Sequence, residues 1–459
     1  MKKKYFGLKL HLAISISVIL LIVLIFINTT PTLAYENADI TLAKTFVSGS
    51  NSPVNLTLLT GNLINYDASN ITPGDNEREI VKSLSDVPEN IPVLVVASSN
   101  ASLEIKSQAN YSTNGVNDSQ VIQTAINSLS HLRNRIETVK CIGLFTLKSG
   151  ILIPSYTRLD LTEATFILDN ATNTSMISNS NISEGNTNIQ IIGGRLYGNR
   201  QGQTEGFSRD GIDLRKVTDS SIEGTYITLC KENGIFIGDN SYRINVVGVI
   251  AEKNGSGQSI RGNGFYEKLS ANIYYSNDLA TANVMDGFCF DQGSTDTSLE
   301  QCKSQLNGAT GVTIYTDSSS NCENITINNN IIQSNGDGGI QSNKEGKGDG
   351  LITALTITNN QIRDNGRTGM WLSKSFNNTI SNNTIINNNC EGGKTQYDGI
   401  CVACVNSVFS ENIVNTRHQY GIREVVGYAD GNTYENNNLK GNILGNNLYA
   451  GTNHILINN

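Results

Sequence analysis

Lys268, Asp291, Tyr266 and Tyr315 are the residues of this 459-residue chain whose types and spacing best match a chemistry. Each stands two or four positions after a glycine, Gly264, Gly287 or Gly311. If those glycines open equivalent strands, the four side chains share one face, on successive strands about 4.8 Å apart. A lysine, or a cation held by the aspartate, could neutralise a sugar carboxylate, and a tyrosine could take or return a proton. Those parts would remove the C5 proton of a uronate, the step that opens a lyase or epimerase reaction. The same residues also fit an ordinary exposed Lys–Asp pair beside tyrosines that simply favour strands.

The glycines belong to a repeat. Asp210-Gly211-Ile212-Asp213-Leu214, Asn233-Gly234-Ile235-Phe236-Ile237 and Asn263-Gly264-Phe265 share one phrase, which returns at Gly287, Gly311, Gly339, Gly369, Gly399 and Gly421 at intervals of 22 to 30 residues. Such a period marks a solenoid or array. An Asn commonly stands four residues before the glycine, as at Asn307, Asn335 and Asn365, and Cys230 takes that place before Gly234. Three short β segments per repeat, with Gly and Asn corners and no helical periodicity, predict an all-β, single-stranded parallel β-helix in which inward Asn side chains stack at a corner. Leucine-rich repeats lack support because their leucine spacing is missing. With glycine as position zero, +1 and +3 point inward, while +2 and +4 point out. The outward row then holds Asp213 and Arg215, Phe236, Tyr266 and Lys268, Cys289 and Asp291, Thr313 and Tyr315, Gln341 and Asn343, Trp371, Cys401 and Arg423. Glu267, Ser342 and Glu424 break the pattern by falling in an inward slot.

Composition fits that architecture. The chain is 38% hydrophobic and 16% charged, which is globular rather than disordered. It carries 61 Asn and 43 Gly, and its last proline is Pro154, as expected where nearly every later N–H is needed in a ladder. A net charge of −8 argues against a nucleic-acid partner. It also means that a polyanionic glycan would need a local basic patch or a bridging cation, calcium being the obvious one. Residues 1–34 read as a signal peptide or an N-terminal anchor: Lys2, Lys3, Lys4 and Lys9 precede an apolar run from Leu12 to Ile27, and cleavage after Ala34 would fit. The rest is then secreted or held at the cell surface, with membrane contact only through that segment if it is retained. Residues 35–91 form a leader of unknown fold. Eight cysteines in the exported part permit disulfides without requiring them, and Cys401-Val-Ala-Cys404 has no companion pair that would make zinc a good reading.

One amphipathic helix is predicted from Asp118 to Leu129, capped by Asp118, with Val121, Ile122, Ala125, Ile126 and Leu129 on one face. It would cover the apolar mouth of the solenoid. The stretch Val95-Val96-Ala97-Ser98-Ser99-Asn100-Ala101, then Asn114-Gly115-Val116-Asn117-Asp118 and Ile122-Gln123-Thr124-Ala125-Ile126-Asn127, resembles the opening segment of pectate-lyase-like right-handed parallel β-helix proteins. With the glycine-led repeats, the resemblance spans residues 92–459. It implies the scaffold and a saccharide partner, but not an activity, because that fold hosts lyases, hydrolases, epimerases and non-catalytic surface proteins. The sequence departs from the enzyme patterns: it has no Asp-Asp pair with Gly-His-Gly, no Tyr-Gly-x-Asp-Pro-His and no Arg-x-Pro-x-x-Arg.

The expectation is therefore a β-helix protein that binds an acidic polysaccharide and acts on it as a lyase, with a uronate epimerase or a non-catalytic adhesion protein as alternatives. Lys268, Asp291, Tyr266 and Tyr315 form the expected catalytic set. Asp213, Arg215, Phe236, Gln341, Asn343, Trp371 and Arg423 form the expected binding row, in which rings would stack on sugar faces unless they are there only as strand formers. Arg209, Asp210, Asp213 and Arg215 read as solvated turn charge, with a uronate or calcium site as the other reading. His418 is a lone loop histidine, more plausibly structural than catalytic.

Overall fold

The computed structural model describes residues 93–130, 134–206, 208–256, 261–316, 320–342, 350–390 and 397–458, together with an antiparallel strand pair, Val54–Thr57 and Leu63–Tyr66. The chain divides into two units between Asn90 and Ile91. Residues 1–34 lie outside the described part, and so does Asn343.

In the larger unit each strand pairs in parallel with its counterpart one repeat later. The glycine-led strands run from Ile212–Arg215 through Phe265–Lys268 and Phe288–Asp291 to Tyr420–Glu424. A second column runs from Val217–Glu223 to Thr433–Glu435, and a third from Tyr226–Thr228 to Ile413–Asn415. The three columns wind into a parallel β-helix. The inward positions fill its core: Ile235, Ile237, Phe265, Phe288, Phe290, Val312 and Ile314 are buried. Like residues stack on like, and the Phe265 and Phe288 rings are stacked nearly parallel with centroids 4.6 Å apart.

The repeat's glycine has a steric cause. A Cβ on Gly234 would sit 2.6 Å from the carbonyl oxygen of Gly264, and one on Gly264, Gly287 or Gly311 would sit 2.7 Å from the oxygen of the next glycine. No side chain fits where the backbone rungs approach so closely.

The corner is held by the expected Asn ladder. Asn254, Asn283, Asn307, Asn335 and Asn365 each donate both backbone N–H and side-chain Nδ2–H to Oδ1 of the Asn one rung on, ending at Asn388. The remaining Nδ2 hydrogen goes to a strand carbonyl, as from Asn283 to Ala251 and from Asn365 to Ile332. Every polar atom of the buried amide is thereby used. A second ladder, not anticipated from sequence, links Asn330, Asn360, Asn383, Asn412 and Asn437 at the other corner in the same way. The residue before each ladder Asn is left-handed, as at Asn329, Asn359 and Asn382, or at Ser334 and Asp364, so the chain turns inward just there.

His418 belongs to the first ladder. Its Nε2 accepts from the Asn388 N–H at 3.3 Å, and its Nδ1 lies 3.0 Å from Asn442 Oδ1. Those partners fix a neutral ring protonated on Nδ1.

The expected helix forms over Asp118–Asn127 and buries Ile122, Ala125 and Ile126. Its cap differs from the sequence reading. Asn117 occupies the N-cap position without a side-chain hydrogen bond, and Asp118 is the first helical residue. The Asp118 carboxylate instead accepts from the N–H groups of Gly115 and Thr146, tying the helix to the long strand Glu137–Leu147. All eight cysteines are free thiols, and only Cys390 is exposed.

Burial holds the His418 pKa down to about 4. A histidine depressed in the folded state leaves stability intact above its ordinary pKa near 6.5. Stability then falls between pH 6.5 and about 4, as the unfolded chain alone takes the proton. His418→Asn restores the ladder residue and removes this proton linkage. Thermal melts from pH 7 to pH 4 should show the variant losing less stability than the parent, by about 3 kcal/mol at the acid end; equal acid losses would refute the assignment.

Candidate active site and saccharide-binding row

The outward row is real as a register. Asp213, Phe236, Tyr266, Cys289, Thr313, Gln341, Trp371, Cys401 and Arg423 are successive partners, and Arg215, Gly238, Lys268, Asp291 and Tyr315 form the parallel row two positions on. Facing outward does not make all of them open to solvent. Asp213, Phe236, Tyr266, Cys289, Asp291 and Gln341 are buried, whereas Arg215, Lys268, Tyr315, Trp371 and Arg423 are only partly covered.

The first half of the row is a layer of its own. Phe236, Tyr266 and Cys289 form a small apolar cluster separate from the solenoid core. The Arg215 guanidinium lies 4.8 Å from the Phe236 ring centroid, and Phe236 packs at 5.4 Å against Tyr266. Phe236, expected in the binding row, and Tyr266, expected in the catalytic set, are both buried side chains. Cover comes in part from the segment before Gly211. Ser208 accepts from Arg215 Nη2 at 3.1 Å, and the Arg209 backbone N–H donates to Glu232.

The charged cluster at the same end is also not solvated. Asp210, Asp213 and Glu232 are all buried. Asp213 takes two bonds from Arg215, Nε at 2.8 Å and Nη2 at 3.2 Å. Asp210 accepts from the backbone and side chain of Asn233, each at 2.9 Å. Burial raises the Asp210 pKa, and the carboxylates of Asp213 and Glu232 push the same way. The reason for the burial lies in the position before each glycine: Asp210, Asn233, Asn263 and Asp286 form a further hydrogen-bonded column there. Among the described residues, no group of three or more His, Cys, Asp and Glu side chains is arranged to hold a metal ion.

In the expected catalytic set, the Tyr266 hydroxyl donates to Asp291 Oδ2 at 2.7 Å. Burial, reinforced by Asp291, pushes the Tyr266 phenol far above its ordinary range. The Tyr266 hydroxyl thus holds one oxygen of Asp291 in place. Lys268 is the register partner of Asp291, and Asp291 of Tyr315. No ion pair joins Lys268 to Asp291 among the described residues, so the ordinary surface pair is absent.

The second half of the row contains groups that the sequence reading missed. Buried Asp398, directly before Gly399, accepts from Arg423 Nε at 2.5 Å and from the Tyr420 N–H at 3.2 Å. Asp337 accepts from Gln341 Nε2 at 3.4 Å and pairs with Arg367 at 3.3 Å. The signal for Asp398 was visible, since it holds the same place as Asp210. Trp371 Nε1 and Gln341 Oε1 are both buried without a hydrogen-bond partner among the described residues.

The inward exceptions are also where the pattern put them. Glu267 is fully buried in the core between Tyr266 and Lys268, and its Oε1 accepts from Thr297 Oγ1 at 2.7 Å. Glu424 accepts from the Tyr434 hydroxyl at 2.7 Å and the Gly451 N–H at 2.8 Å.

Residues 245–385 and 292–459 match the family described as right-handed β-helix region. Among solved structures, the A-module of mannuronan C-5 epimerase AlgE4 from Azotobacter vinelandii is 18% identical with a TM-score of 0.65, over 74% of this chain and 96% of that one. The periplasmic alginate epimerase AlgG is 12% identical with a TM-score of 0.56, over 73% of this chain and 82% of that one. The Dettilon tailspike protein gp208 is 15% identical with a TM-score of 0.56, over 73% of this chain and 66% of that one. At these identities the likeness is one of fold. No curated protein matches the sequence.

Burial raises the Glu267 pKa to about 8. A carboxyl raised in the folded state contributes full stability below its ordinary pKa near 4.3, and that contribution is lost as pH rises toward 8. Glu267→Gln keeps the acceptor for Thr297 without the ionisation. Denaturant unfolding at pH 5 and pH 9 should show the parent losing stability, on the order of a few kcal/mol, that the variant keeps; parallel pH profiles would overturn this reading.

Proposed function

Because the chain is a right-handed parallel β-helix protein with one continuous outward row of polar and aromatic side chains, we propose that it binds an acidic polysaccharide along that row and acts on a uronate residue there. The observation that carries this reading is the succession Lys268, Asp291, Tyr315 on adjacent rungs, with Asp291 fixed by Tyr266. The rungs set these groups about 4.8 Å apart. Lys268 faces the carboxylate and offsets the charge that builds on it. Tyr315 exchanges the C5 proton, while Tyr266 and Asp291 hold the geometry between them.

Once the C5 proton has gone to the base, the electron pair spreads into the carboxylate as an enolate that Lys268 stabilises. If the C4–O bond then breaks and the leaving oxygen takes the abstracted proton back from Tyr315, the result is chain cleavage with an unsaturated end. If a proton returns to C5 from the opposite face, the result is the epimer. The alginate epimerases among the similar folds support the second branch. The absence of Tyr-Gly-x-Asp-Pro-His weighs against copying their catalytic residues onto this chain.

A second reading follows from the burial of Tyr266 and Asp291, which leaves Lys268 and Tyr315 as the accessible members of the set. In that reading the rigid solenoid is a non-catalytic surface protein that holds a glycan. Incubation of the full chain with a panel of uronate polymers, with and without calcium, separates the cases. Cleavage raises ultraviolet absorbance from unsaturated ends, and epimerisation changes the proton NMR spectrum without shortening the polymer. Lys268→Ala combined with Asp291→Ala should abolish either activity with an unchanged circular dichroism spectrum. Tyr315→Phe should lower kcat by roughly 100-fold or more with little change in KM. Activity retained in the double variant would remove the site assignment, and binding without turnover across the panel would favour the second reading.

A further inference from the structure

Away from the glycine-led face, the outer side of the second strand column carries a cavity of about 460 Å³ near the start of the solenoid. Arg135 and Arg158 both line it, with Thr138, Tyr156 and Asn188 among the neutral side chains, and no carboxylate is among the described residues that line it. That is unusual in this acidic chain. Arg215, Arg243, Arg363, Arg367 and Arg423 each pair with an aspartate. Arg158 instead gives its Nε–H to the neutral amide of Gln190, at 2.7 Å.

The arrangement is built by the fold. Thr138, Arg158 and Gln190 are register partners on three successive rungs, so Gln190 stands beside Arg158 by the same pairing that makes the sheet. The bond to Nε fixes the plane of the guanidinium. Its two terminal nitrogens have no protein acceptor among the described residues, and they form the edge that matches a carboxylate in a bidentate pair. Tyr156 and Asn188 bracket the cavity from the turns, both with left-handed backbone, at φ 57° and 55°. Their polar groups suit hydroxyls rather than a second charge. The volume falls in the range of small-ligand sites and admits a sugar-sized molecule.

We propose that this cavity is a second glycan-contact site, which takes the carboxylate of a uronic-acid residue on the Arg158 fork with Arg135 as the second cation. The choice of uronate over another anion rests on the function proposed above, whereas the anion preference rests on the cavity itself. Held there, an acidic polymer would be anchored on a face other than the one that carries Lys268 and Tyr315.

Isothermal titration of the full chain with galacturonate and mannuronate, with galactose as the neutral control and inorganic phosphate as the alternative anion, tests the proposal. Three proteins are compared: the parent, Arg158→Gln and the outward-row variant Lys268→Ala. The expected result is uronate binding in which the cavity's share weakens by roughly tenfold or more in Arg158→Gln, while Lys268→Ala removes only the outward-row contact and leaves that share in place, with no binding of galactose. Arg135→Gln should weaken it as well, and circular dichroism checks the fold of each variant. Phosphate binding without uronate binding would overturn the sugar assignment. Uronate binding lost in Lys268→Ala but kept in Arg158→Gln would overturn the cavity and leave the outward row standing. Loss in Arg158→Gln alone would support the cavity whether or not the row proves catalytic, and no binding of any anion would overturn the proposal outright.

Discussion

The structure depends on rung height at one corner. Backbone rungs in a parallel ladder repeat about every 4.8 Å, and at the start of the glycine-led strand the space between them closes until a Cβ would lie well inside contact distance of the next carbonyl. Glycine is therefore required from Gly211 to Gly399, and the rest of each rung is measured from it. The Asn ladders answer the complementary need. A solenoid corner turns peptide groups inward, where water cannot reach them, and a side-chain amide that matches the backbone's own donor and acceptor spacing satisfies them rung after rung.

Once the corner is fixed, chemistry is left to positions that do not bear on the ladder. The outward row can hold arginine, phenylalanine, tyrosine, cysteine or tryptophan at equivalent places because none of them changes the rung. What differs along the row is how it is covered. Arg215 reaches from Ser208 on the segment ahead of Gly211 to the Phe236 ring and pairs with Asp213, so a strip of uniform register becomes a buried polar layer at one end and a more open surface around Lys268 and Tyr315. Asp291 stands at the boundary, sealed from one side by Tyr266 and next to the accessible pair.

The repeat, its glycine, the first Asn ladder and the inward misfits Glu267 and Glu424 could be read from the sequence because each follows from spacing alone. Burial of the outward row could not. Strand alternation says which way Phe236 and Tyr266 point, but not that they will be buried against one another, Cys289 and the Arg215 guanidinium. The same limit explains Asp210 and Asp213, whose charges read as solvated until the column before each glycine is seen to be hydrogen-bonded. His418 is instructive in the opposite sense. It read as a loop residue of no assigned partner, yet it fills an Asn slot because an imidazole offers one acceptor and one donor across the same corner. The second Asn ladder escaped notice because its members keep no fixed distance from the repeat glycine: Asn330, Asn360 and Asn412 stand nine residues before the next one and Asn383 sixteen.

The ladder also bears on how the molecule ages. Asn254, Asn307, Asn335 and Asn365 are each followed by glycine, and in a mobile chain such a pair is prone to lose ammonia: the glycine nitrogen attacks the side-chain carbonyl and a succinimide forms. Here that nitrogen is engaged in every case, with Gly255 donating to Cys230, Gly308 to Asn283, Gly336 to Asn307 and Gly366 to Asn335. The amide it would attack is pinned by the neighbouring rungs. The hydrogen bonds that hold the corners thus also shield the side chains from the reaction that would replace a neutral amide with a buried charge, so the chemical lifetime of these asparagines is tied to the persistence of the fold.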